Sequence, residues 1–317
     1  MVVSEVEKIK EEVRRVVVGQ DKIVEGILRS LIANGHVLIE GVPGIAKTLL
    51  IIAIAASAGC KSSRIQFTVD LLPADISGIT TYTPGKGFET IKGPIFANFV
   101  IADEVNRAPP KTQSALLEAM QEKQVTIGKN TFKLEPPFFV MANHNPIESS
   151  GTYKLPEAQI DRFLFKFKMG YPSNEDEEAI IDKNITINKF EEYGIKPIIS
   201  GEKIIEMQKQ AKKVKMSPMV KKYIVRIVEA TRNPKNFGIQ LGKYIEWGGS
   251  PRASISLGIG ARADAALKGE SSATPQNVKN VAHDVLRHRI LLNYSGQAEG
   301  IDTDRIITEI LSKVKVP

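Results

Sequence analysis

A chain of 317 residues with 42% apolar and 25% charged content is long enough for two domains with cores of their own, and it shows no internal repeat and no low-complexity tract. Its single cysteine, Cys60, excludes an internal disulfide and fits a reducing compartment; with no secretory pattern at the N-terminus and a longest apolar run, residues 49–60, too short for a bilayer, a cytoplasmic protein is expected. The net charge of +7 comes from 43 basic residues interleaved with 36 acidic ones, without a long basic block, which describes a solvated surface better than a nucleic-acid footprint.

Ser4 and Glu7 have the spacing of a capping box, and Val6, Ile9, Val13 and Val17 then recur at helical intervals, so the chain is predicted to open with a helix. Strands are expected at 36–40, 64–70, 98–103, 138–142 and 163–168. Each is β-branched or aromatic with little polar alternation, the pattern of strands buried on both faces of a parallel sheet between helices. Two segments interrupt the α/β alternation: residues 73–96, rich in Gly, Pro and Thr, and residues 125–134, which read as a hairpin turning at 128–130. Beyond Tyr171-Pro172 the texture changes to charged helices. Ser217-Pro218, Ser250-Pro251 and Thr274-Pro275 each place a capping hydroxyl before a proline suited to the first helical position. The expected organisation is an αβα core over 1–172 with two insertions, then a helical domain over 173–317.

The decisive stretch is Gly41-Val42-Pro43-Gly44-Ile45-Ala46-Lys47-Thr48, a glycine-rich turn between the first strand and a helix predicted from Leu49 to Ala58. Backbone N–H groups in such a Walker A turn, with the positive end of the helix dipole, cradle phosphates. Lys47 would reach the β and γ phosphates of ATP, and the Thr48 hydroxyl would ligate Mg²⁺. Ala46 stands where the general pattern has glycine, at little cost if the backbone there is right-handed. The strand ending Ala102-Asp103-Glu104 supplies the usual Walker B partner: Asp103 for Mg²⁺ and Glu104 as general base toward water. A further strand ends at Asn143-His144-Asn145-Pro146, where one asparagine can hold the lytic water. Asn145, directly before a proline, is the preferred choice over Asn143. His283 and His288 lie off a common helical face with no ligand pattern around them. The acidic run 175–178 is explained as a charged first helical turn, and Phe237, Tyr244 and Trp247 as lid core or an interdomain contact.

These motifs, together with Val18-Gly19-Gln20, the run from Val105 to Gln113, Leu116 to Glu122, Gly151 to Phe163 and Gly249 to Ala253, resemble MoxR-type AAA+ ATPases over nearly the whole chain. In that family alanine is usual at position 46, while Asn143-His144 and Lys154 depart mildly from its pattern. The resemblance implies that Val18, Gly19 and Gln20 line the adenine, and that nucleotide contacts run from Pro43, Gly44, Ile45 and Ala46 through Leu49. It also implies that Arg162 is an arginine finger for a neighbouring subunit and that Arg252 is the second sensor, carried by the lid onto ATP in the same chain. Arg252 falls in the first turn of a helix, where a cation is disfavoured by roughly 0.3 to 1 kcal/mol, so a functional reason is expected for it. The two insertions would face the pore or the client. The assembly implied by the resemblance is a ring, a hexamer, that couples ATP hydrolysis to chaperone-like remodelling of protein partners, among them proteins with von Willebrand A domains. The alternatives are a helicase-like nucleic-acid motor, suggested by the net charge and Lys129, Lys133 and Lys154, and a scaffold that binds ATP without turnover.

Overall fold

The computed structural model describes residues 2–42, 44–85, 87–144, 153, 155–183 and 193–317. Helices α1 (Val2–Arg14) and α2 (Asp21–Ile32) precede strand β1 (Val37–Gly41), α3 (Lys47–Ser57) and β2 (Ser62–Gln66). Helix α4 (Pro73–Ser77) and an antiparallel pair, β3 (Gly78–Thr83) and β4 (Gly87–Lys92), come before β5 (Phe99–Asp103) and α5 (Pro110–Glu122). A second hairpin, β6 (Gln124–Ile127) with β7 (Asn130–Lys133), leads to β8 (Phe139–His144), a short α6 (Glu157–Ile160) and β9 (Phe165–Met169). The remainder is helical: α7 (Asn174–Lys183), α8 (Gly201–Lys213), α9 (Pro218–Arg232), α10 (Pro251–Leu267), α11 (Pro275–Leu286), α12 (Tyr294–Ala298) and α13 (Thr303–Lys313), with strands of two or three residues between them. No helix among the described residues is long and apolar enough to cross a membrane.

Strands β1, β2, β5, β8 and β9 form one parallel sheet in the order β2-β5-β8-β1-β9. Alternate residues of each central strand serve opposite faces. Val37, Ile39, Phe99, Ile101, Phe139 and Met141 join a core shared with α1 to α3 and with the helices after residue 200. Leu38, Val100, Ala102, Val140 and Ala142 pack with Ile76 of α4, with α5 and with the β6–β7 hairpin. The β2 strand begins and ends earlier than expected because it lies at the sheet edge. Its register with β5 runs from Ser62↔Phe99 to Gln66↔Asp103, and its polar side chains face outward at no desolvation cost.

Local chemistry decides where the helices begin. Ser217, Ser250 and Thr274 each accept a hydrogen bond from a backbone N–H two or three residues on, and each is followed by proline at the first helical position, as predicted. Ser4 does not cap α1. The helix already includes Val2, which is buried with Val6, Ile9 and Val13, so the apolar stripe extends the helix past the polar signal. Trp247 also departs from expectation, being 67% exposed, whereas Tyr244 is buried and donates to Glu299 at 2.6 Å. Between the two parts of the chain, Arg29 of α2 lies 3.0 Å from Asp264 of α10, both buried, and Lys268, Asn277 and Asn280 complete the surroundings of that carboxylate.

Candidate active site

The polar ends of β1, β5 and β8 meet at the carboxyl edge of the sheet, where open α/β folds bind ligands. Thr48, in the first turn of α3, donates to Asp103 Oδ2 at 3.1 Å, and Lys47 Nζ donates to the Gly41 carbonyl at 2.7 Å. Asp103 is 4% exposed, and its other oxygen accepts from Asn143 Nδ2. Asn143 Oδ1 in turn accepts the Glu104 N–H at 2.8 Å, so one buried amide ties both adjacent acids to β8. Asn145, with Pro43, lies outside the described residues. His144 lies 3.2 Å from Glu40, which is also 2.5 Å from Lys166, and the hydrogen bond from His144 holds the Glu40 carboxyl well below the usual range against its partial burial.

Two backbone positions here are left-handed although neither is glycine. Ala46 has φ 58° and ψ 27°, and Glu104 has φ 55° and ψ 48°. The condition under which Ala46 would cost little, a right-handed backbone, is therefore not met. The turn that leads into α3 requires positive φ there, and alanine accepts it at a cost of roughly 1 kcal/mol.

Beside the phosphate turn lies a cavity of about 480 Å³, a size suited to a nucleotide base and sugar. Val16, Val17, Val18 and Gln20 line one side, with Gly44, Ile45, Ala46 and Leu49 below. Gly19 is required between them: its φ is 75°, and a Cβ there would meet Asp176 Cγ at 2.6 Å. The other wall comes from Tyr171, Pro172, Glu177, Ile180, Ile181 and Tyr193. This wall was invisible in the sequence, where Glu177 read as part of a charged helical turn. Its position depends on how α7 folds back over α3, which no local pattern encodes.

Sequence reasoning also missed the edge strand's contribution. Arg64 Nε lies 2.5 Å from Asp103 Oδ2, and Gln66 Nε2 donates to Glu104 Oε2 at 2.7 Å, with Arg107 Nε 3.3 Å from the same oxygen. The signal that could have found them is the two-residue alternation of Ser62, Arg64 and Gln66, which places three polar side chains on one face. Gln113, at the end of the run that begins with Val105, is fully buried and donates to the carbonyls of Val105, Ala108 and Tyr153, bracing the turn after Glu104.

The two arginines lie elsewhere. Arg162 follows Asp161 just before β9, is exposed, and makes no ion pair among the described residues. Arg252 lies 3.4 Å from Asp161 Oδ2, which offsets its unfavourable place at the start of α10. Because β9 runs parallel to β1, with Phe165 beside Val37 and Met169 beside Gly41, residues 161–164 lie at the amino end of the sheet. The phosphate turn is at the carboxyl end, a five-residue strand or roughly 15 Å away. Arg252 is thus placed beside Asp161, the residue before Arg162, and is not among the residues that line its own chain's cavity, where the family resemblance would bring it.

Comparison with known proteins shows the family. Residues 36–165 match the ATPase family associated with various cellular activities (AAA), and residues 242–310 match the AAA lid domain. The chain is 45% identical over 313 residues to Chaperone MoxR1 of Mycobacterium tuberculosis, covering 96% of this chain and 81% of that one. It belongs to the MoxR-type AAA+ ATPases. It is 44% identical over 311 residues to protein YeaC of Bacillus subtilis, at 98% and 94% coverage, and 30% identical over 329 residues to Protein MoxR of Paracoccus denitrificans, at 95% and 93%. A crystal structure of a candidate ATPase from Cytophaga hutchinsonii superposes with a TM-score of 0.92 at 44% identity, covering 100% of this chain and 96% of that one. The chain is a nucleotide-binding ATPase of this family.

Proposed function

We propose that the chain works as a ring in which each active site is shared by two subunits. Its action on ATP would drive chaperone-like remodelling of partner proteins. The observation that carries this reading is the separation within one chain of the phosphate turn from Arg162 and Arg252. Arginine side chains at the amino end of β9 can serve a nucleotide only if that nucleotide is bound by another copy. We take the boundary between core and lid at Pro172, where β9 has ended and the helical series begins.

Thr48 and Asp103 offer a hydroxyl and a nearly buried carboxylate 3.1 Å apart, a hard-oxygen pair of the kind that holds Mg²⁺ together with ATP phosphates. Mg²⁺ bound there would neutralise charge on the β and γ phosphates. Lys47 would neutralise phosphate charge from the opposite side, Glu104 would take the proton of the attacking water, and Asn143 holds both acids in register while Asn145 is retained for positioning that water. A neighbour's Arg162 would then meet the charge that develops on the γ phosphate, with Arg252 beside it. Protein clients are supported by the relative named a chaperone and by the Tyr82–Phe88 pair, 62% and 79% exposed, near the tip of the β3–β4 hairpin. The family resemblance makes a partner with a von Willebrand A domain the first to test, and a hexamer the expected ring. The lone thiol, Cys60, pushed up to about 11 by burial, fits the reducing cytoplasm proposed for the protein.

Mixing two inactive variants tests the shared site. Lys47→Ala chains combined with Arg252→Ala chains regain ATPase activity if Arg252 serves the neighbour, because one interface then pairs an intact phosphate turn with an intact arginine. A mixture that stays as inactive as its components places Arg252 in its own chain's site and defeats the reading.

A further inference from the structure

We infer that Arg289 is a positioning residue for ATP hydrolysis: it fastens the segment carrying Arg162, and through Asp161 sets Arg162 and Arg252 side by side. This rests on the reading that Arg162 acts at a neighbour's nucleotide. Arg289 follows α11 and its side chain is only 2% exposed, and four of its five hydrogen bonds go to residues 161–164 of the core, the fifth to its own helix. Nε donates to Asp161 Oδ1 at 2.7 Å. Nη2 donates to the Asp161 carbonyl at 3.2 Å and to the Phe163 carbonyl at 2.7 Å. Nη1 donates to the Leu164 carbonyl at 3.2 Å and to the Val285 carbonyl. All five guanidinium N–H groups are therefore used.

The chemistry of these acceptors is specific to the finger. The carbonyls of residues 161 and 163 flank Arg162 on both sides, and His288 adds a contact of 3.1 Å to the second of them. The Asp161 carboxylate is divided, one oxygen to Arg289 and the other to Arg252 at 3.4 Å. A buried cation thus fixes the backbone under an exposed one and shares an anion with a third. Burial lowers the Arg289 guanidinium to about 10, so it remains charged at neutral pH, and Asp161 supplies the compensating charge. An interaction used only for fold stability has no need to bracket a single exposed arginine. A planar fork is what this job requires, since the three donors of lysine cannot reach acceptors spread around one plane.

The test uses the full-length assembled protein and three variants: Arg162→Ala, Arg289→Lys and the double variant. Arg289→Lys is expected to lower kcat by about 10- to 100-fold, the range for a displaced catalytic group. KM and the Kd for a fluorescent ATP analogue should change less than about twofold, because the nucleotide cavity is untouched. The double variant should be no slower than Arg162→Ala alone. If the two losses multiply, or if kcat is unchanged, the positioning role is overturned. Nucleotide binding and thermal stability lost in step with activity would show a fastening of the fold only, which also overturns it. Should Arg289→Lys not fold, Asp161→Asn keeps the backbone bonds of Arg289 and allows the same comparison. Parental activity in Arg162→Ala would instead refute the shared site itself, an outcome distinct from failure of Arg289.

Discussion

At the carboxyl edge of the sheet each functional side chain lies at, or within a few residues of, the end of a strand: Lys47 and Thr48 after β1, Asp103 and Glu104 at β5, Asn143 in β8. At the amino end of β9 the cluster is assembled from distant parts of the chain, Asp161 and Arg162, Ser250 and Arg252, His288 and Arg289. The first region is made by local backbone geometry and the second by packing of α10 and α11 against the sheet. On the shared-site reading, the first end holds and attacks a nucleotide and the second supplies cations to a neighbour's nucleotide. On that reading each chain supplies halves of two different sites.

The largest expected effect strikes the amino-end half. Arg162→Ala should lower kcat by about 10³-fold or more while leaving nucleotide affinity intact, measured by steady-state ATPase and analogue binding. Equal losses of affinity and rate would erase the contrast between the two ends. Glu104→Gln should reduce hydrolysis by about 10²- to 10⁴-fold with ATP still bound, since the amide keeps the hydrogen-bonding shape but takes no proton. Unlike Arg162→Ala, its own site should not be rescued in mixtures with other variants.

The two ends should also differ in acid. His36, at the amino end of β1, is buried with Nε2 on the Met120 carbonyl and Nδ1 accepting the Val140 N–H, and burial lowers its pKa to about 4. His288, against Phe163, is lowered well below 6.5 by the same cause. A histidine kept neutral in the fold but free to protonate at 6.5 when unfolded gives stability that is complete above pH 6.5 and is lost as pH falls toward 4. For His36 alone the loss is about 3 kcal/mol, and melting curves from pH 7.5 to 4 would read it. A flat profile over that window would remove the asymmetry. The smallest effect is at the phosphate turn, where Ala46→Gly should raise stability by about 1 kcal/mol by relieving the left-handed alanine, visible in denaturant titration. A loss instead would mean that the methyl contributes more by packing beside the base cavity than the strain costs.

Much of the carboxyl-edge site was legible because its information is short-range. A phosphate turn needs glycines, lysine and a hydroxyl in one order, and a strand ending in Asp103-Glu104 presents both acids whatever surrounds it. The caps Ser217, Ser250 and Thr274 and the β6–β7 hairpin were legible for the same reason, whereas the β3–β4 pair was read only as an insertion. Arg64 and Gln66 were missed because an edge strand's polar face looks like solvent-exposed polarity until its neighbour is known. Glu177 and the tyrosines of the base cavity were missed because helix α7 acquires its role only on folding back over α3.

From its sequence alone, then, this protein is a P-loop ATPase with a helical second part, since backbone turns, caps and strand ends are written within a few residues. Only the tertiary structure placed Arg252 beside Asp161 at the amino end of β9, made Ala46 left-handed, and set Arg289 against the carbonyls on both sides of Arg162. These depend on the parallel register of β9 with β1 and on a buried guanidinium finding carbonyls more than a hundred residues away, and no local pattern carries either.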